Sequence, residues 1–80
     1  MNYMSKYHRN HAAACLLVDK MFQATIVPEI TKICKQGDQI DFDLLDAVLS
    51  EVKEIHERLM DRIDYNNEEA DSEERKVNGD

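Results

Sequence analysis

Four side chains near the start of the chain, His8, His11, Cys15 and Asp19, are all of types that ligate zinc. On a helix they fall within about 80° of one another, so a metal site is the first chemistry to weigh. The row is too long for it. His8 and Cys15 stand seven residues apart, about 10 Å along a helix axis, and one ion does not reach both ends. Structural zinc sites also draw ligands from two elements at CxxC-like spacings, which are missing here. The four residues read as a helix start with two exposed histidines and a buried cysteine, and no metal is expected.

His56 lies between Val52 and Leu59 on an apolar helix face. The residue three before it is Lys53, so the Glu-x-x-His pattern of di-iron helices is not formed. A lone histidine at such a place is a core or interface residue. If buried, it would charge on acidification and loosen an assembly, and replacement by Leu would then be stabilising at acidic pH. Glu51, Glu54, Glu57, Asp61 and Asp64 form a row of carboxylates on the opposite, solvated face. Paired carboxylates do general acid–base work only where a pocket shifts their pKa values, and a solvated face supplies none. The sequence therefore predicts no enzyme, no cofactor and no catalytic residue.

The elements that carry these residues are helices. Leu45, Val48, Leu49, Val52, Ile55, Leu59, Met60 and Ile63 recur at steps of three and four, with charged residues between them, and predict an amphipathic helix over 42–65. Asp41 suits its N-cap, Asp43 its first turn, and Ile40 can pack on Leu45. Gly37 suits the left-handed position after a preceding helix, with Lys35 at that helix's negative end. The preceding segment, about His8 to Gln36, places Cys15, Val18, Phe22, Ile26, Ile30 and Ile33 on one face. Pro28 and the β-branched run Thr25-Ile26-Val27 predict either one helix kinked near 24–27 or two helices meeting there. The short turn at 37–40 makes the two segments antiparallel neighbours. The fold class is all-α: a helical hairpin domain over residues 1–65, followed by a tail over 66–80. The tail holds one Val and one Ala among its fifteen residues, and its composition predicts disorder.

Eighty residues make one small domain, and the formal net charge is −7. The charge is uneven: residues 1–20 sum to +2, 40–65 to −5 and 66–80 to −4. An acidic chain repels nucleic-acid phosphates, so nucleic acid is disfavoured as a partner, while basic protein surfaces are attracted. Two cysteines, Cys15 and Cys34, indicate free thiols in a reducing cytoplasm rather than a disulfide framework. The apolar run Ala12–Val18 is closed by Asp19 and Lys20, too short for a secretory core or a membrane span.

Each predicted helix presents an apolar sector wider than about 100°, more than one neighbour covers. Phe22, Ile26, Val48, Val52, Ile55 and Leu59 would face water in a single hairpin. Two hairpins packed as a four-helix bundle, a homodimer, is the expected remedy. The expected function is that of a small acidic regulatory protein that binds a larger protein as inhibitor or adaptor. Size and charge associate it with phage and mobile-element proteins that block a host enzyme. The carboxylate row 51–64 is the candidate contact, and one version of it is imitation of nucleic-acid phosphates; the six apolar residues are the dimer or docking face. Two alternatives stand beside this. The layout of two helices, a short turn and an acidic tail resembles the plasmid RNA-binding Rop bundle in architecture, without a shared motif, which would imply RNA or DNA binding. A structural or chaperone subunit is the third reading.

Overall fold

The helix-breaking signals of the sequence fall in one place, and the chain turns back there. In a computed structural model, which describes residues 3–77, α1 (Tyr3–Cys34) and α2 (Phe42–Val77) run antiparallel and pack along each other. Between them lies a single 3-10 turn, Gly37–Gln39. Gly37 has φ 64°, the left-handed conformation that lets the backbone leave α1 without a Cβ clash. Asp41 caps α2: its Oδ1 accepts from the Leu44 N–H at 3.1 Å, while its carbonyl accepts from Leu45 at 3.0 Å.

The structure settles the question at Pro28. α1 is one unbroken helix of 32 residues, with the proline inside it. Ala24, whose carbonyl loses its intrahelical donor, is exposed, so water can take the place of the missing N–H.

The tail is a correction. α2 does not stop at Tyr65 but continues as helix through 66–77, so the boundary drawn at 65/66 falls inside an element. The expected disorder rested on the lack of apolar residues. What holds this stretch is polar: Asn66, Asn67, Asp71 and Glu74 bond across to α1, and Ala70 is fully buried against it. Residues 78–80 lie outside the described part.

The seam follows a three-four step on both helices. On α1 it runs Ser5, His8, Ala12, Cys15, Asp19, Phe22, Ile26, Ile30, Ile33; on α2 it runs Leu45, Val48, Val52, His56, Leu59, Ile63, Asn66, Ala70. That is the spacing of a two-stranded antiparallel coiled coil. Its halves differ in chemistry. Near the turn the seam is aliphatic and aromatic; toward the termini it is small and polar. The expected α1 face is corrected at one step: Val18 is half exposed, and Asp19 takes the inward position.

Candidate interaction surfaces

Asp19 is the most unexpected side chain of the seam. It is 3% exposed, and an unpaired carboxylate so placed would be costly. Both of its oxygens are occupied. His56 Nδ1 lies 2.8 Å from Oδ1, and Gln23 Nε2 donates to Oδ2 at 2.8 Å. Because a carboxylate only accepts, the His56 proton sits on Nδ1. His56 is therefore not the lone histidine of an apolar face that its neighbours suggest. It is half exposed, and it bridges the two helices at mid-length.

A second polar layer follows toward the termini. Asn66 Nδ2 donates to the Arg62 carbonyl at 2.8 Å, which orients the amide and leaves Oδ1 to accept from His8 Nδ1 at 2.9 Å. The His8 ring packs edge-on to Tyr7 and Tyr65, with centroids 5.2 and 6.2 Å away. Beyond it, Ser5 Oγ donates to Glu74 Oε1 at 2.7 Å. Arg9 reaches Asn67 at 3.2 Å, Asp71 at 2.6 Å and Glu74 at 3.2 Å. The Ser5 hydroxyl, and after it the Arg9 guanidinium, hold the Glu74 carboxyl below its ordinary 4.5. Hydrogen bonds to Asp71 and Glu74 push Arg9 higher still. No buried side-chain nitrogen or oxygen among the described residues lacks a partner.

This network takes the zinc-competent side chains elsewhere. His8 turns to Asn66 and Asp19 to His56, while Tyr7 stacks on His11 with centroids 4.4 Å apart. Among the described residues no three His, Cys, Asp or Glu side chains come together in a way that could hold a metal ion. Cys15 is buried, Cys34 is exposed, and both are free thiols.

The acidic row stands outward as a surface. Glu51, Glu54, Glu57, Asp61 and Asp64 are all exposed on α2; Glu54 is held by Arg58, and Glu57 lies 3.8 Å from Lys53. Of the apolar candidates, all but Ile55 belong to the seam, and Ile55 stands beside it. Phe22, Ile26, Val48, Val52 and Leu59 are half-buried and Ile55 is exposed. All but Val48 line two shallow concavities, one on each flat side of the hairpin. One is lined by Gln23, Ile26, Val27, Ile30, Leu49, Val52, Lys53 and His56, the other by Val18, Ile55, Arg58, Leu59 and Arg62, and Phe22 borders both. Helical geometry puts Val18 and Val27 on opposite sides of the Asp19–Phe22–Ile26 stripe.

The amount of uncovered surface is large. Only Ala12, Cys15 and Ala70 are buried among the described apolar residues. The chain exposes 6115 Å², whereas a compact monomer of 9.3 kDa exposes about 5,000 Å². Its Cα envelope of 64 × 18 × 10 Å is one layer of helices, and stable domains have at least two. No helix among the described residues is long and apolar enough to cross a membrane.

The chain matches no family model, no curated protein and no solved structure.

Proposed function

We propose that this is a small acidic regulatory protein that acts by binding a larger protein, as an inhibitor or adaptor. The observation that carries the reading is the single-layer hairpin itself: apolar side chains lie open on both flat sides, beside an outward row of carboxylates. Such a surface is suited to association rather than to enclosing a substrate. Glu51, Glu57, Asp61 and Asp64, with Glu54, span about 20 Å of helix and present a negative stripe to a basic partner. Imitation of nucleic-acid phosphates is the sharpest form of this reading, and size and charge fit the phage and mobile-element inhibitors. Self-association belongs to it as well: two hairpins packed as a four-helix bundle supply the missing second layer. Two free thiols suit a cytoplasmic setting.

The test is a tagged pull-down from the native host with and without nuclease, run beside a variant with Glu51, Glu57, Asp61 and Asp64 changed to Lys. One dominant protein that survives nuclease, is released by salt and is lost in the variant supports the acidic contact. Recovery of nucleic acid, or loss of every partner after nuclease, would overturn it in favour of nucleic-acid binding.

A further inference from the structure

Of the two flat sides, one is better made for a second copy of this chain, and charge decides how that copy lies. We infer that the side carrying Val18 and Ile55 is the homodimer face, with the two-fold axis parallel to the helices, so that α1 of each copy packs on α2 of the other. The inference rests on the self-association proposed above and adds which face meets and in which orientation.

The area is sufficient. Two separate chains expose twice 6115 Å², while a compact protein of twice the mass exposes about 8,000 Å². Face-to-face docking thus has up to about 4,000 Å² to remove, in the range of obligate homodimers. The charge on α1 selects the side. Tyr7, His11, Ala14, Val18, Met21 and Thr25 recur at steps of four and three, a stripe along one flank that is uncharged until it reaches the mutually paired Glu29 and Lys32. The corresponding stripe on the other flank includes Arg9 and Lys20. On α2, Arg58 and Arg62 line the chosen face, and Arg58 is already paired with Glu54.

Two like faces meet about an axis in the plane between them, either along the helices or across them. Across them, α1 lies on α1 and α2 on α2. Tyr3–Cys34 sums to +2 and Phe42–Val77 to −7, so that arrangement sets like charge on like for the length of each helix. Along them, +2 faces −7 twice over, at helix separations of about 8–10 Å, where screening is incomplete. The register agrees. The pairs His8–Asn66 and Asp19–His56 fix the heights of the two helices, and the parallel axis brings Ile55 of one copy level with Val18 and Met21 of the other.

The face is read by substitution and the orientation by distance. Val18 and Val27 are 50% and 59% exposed, so neither supports the single hairpin. Light scattering after gel filtration is expected to find a dimer for the parent and for Val27→Glu, and a monomer for Val18→Glu. Cys34, exposed at the turn end, takes a spin label while buried Cys15 does not. In the parental dimer the two labels are expected within about 30 Å, since they share one end of a bundle with helix spacings of about 8–10 Å. A parental monomer would overturn the self-association reading and this inference together. A dimer broken by Val27→Glu and kept by Val18→Glu would overturn the face alone. Labels separated by most of the 64 Å length would overturn the orientation alone.

Discussion

Replacing His56 with Leu separates two accounts of the seam. If His56 were only a polar interruption of an apolar face, Leu would pack better there and stabilise the protein. The structure implies the reverse, because the Asp19 carboxylate, 3% exposed, would lose the donor 2.8 Å away on one oxygen. A hydrogen bond to a charged group is worth about 1.5–3 kcal/mol, and Gln23 still holds the second oxygen, so about 2 kcal/mol is the expected loss. In a domain of this size that is a fall in Tm of about 8–16 °C. The decisive comparison is the double variant Asp19→Leu with His56→Leu, which removes both the buried charge and its partner. Replacing a buried pair by apolar residues is often neutral or stabilising, so the double variant should recover most of what either single change loses. Urea melts followed by circular dichroism at one fixed protein concentration give all four corners of the cycle. A His56→Leu protein as stable as the parent, or strictly additive single effects, would refute the claim that this pair joins the helices.

Further outcomes follow from other parts of the hairpin. Asn66→Ala leaves the buried His8 Nδ1–H without its acceptor and should cost about 1–3 kcal/mol in the same melts, whereas a disordered tail would make the change silent. Gly37→Ala and Asp41→Ala should each cost about 1 kcal/mol, the first for a positive φ and the second for a lost cap; Gly37→Ala has open space around its new Cβ, so a loss there reports backbone strain alone. Glu74 has a folded pKa below its ordinary 4.5, so its contribution is present above that value and is lost as pH falls through the lowered one. Glu74→Gln should therefore be less stable than the parent near neutrality, with the gap closing in melts as pH is taken down past 4.5. If the second layer of helices comes from a second copy, Tm should rise with protein concentration over a hundredfold dilution series.

The hairpin was legible where local chemistry decides. Gly37 and Asp41 mark the turn because a positive φ and a free N–H each call for a narrow set of residues. The face of 42–65 was legible because its apolar residues outnumber exceptions. Legibility failed where the seam is polar. A periodicity built on apolar residues picks Val18 over Asp19 and stops at Ile63. Yet the step of three and four continues through Asn66 and Ala70 on α2, and back beyond Cys15 through Ala12, His8 and Ser5 on α1. Reading that spacing regardless of polarity, with Ala12 and Ala70 as the places where helices come close, is the signal that finds the terminal half. What no spacing reveals is the partner. Asp19 is tolerable only because His56 and Gln23 reach it, and that depends on the register of two distant segments.

The two halves of the seam therefore do different work. Ile26, Ile30, Val48 and Val52 near the turn attract each other without direction, and aliphatic packing of this kind tolerates a slip of one helical turn. The layers Asp19–His56, His8–Asn66 and Ser5–Glu74 do not: each donor meets its acceptor in one register only. Such layers add little net stability, since each exchanges water for a protein partner, but every wrong register orphans a buried group. A seam built this way fixes alignment at the expense of apolar burial. That is consistent with so much apolar surface standing open on its flat sides, and with stability that is completed by whatever covers one of them.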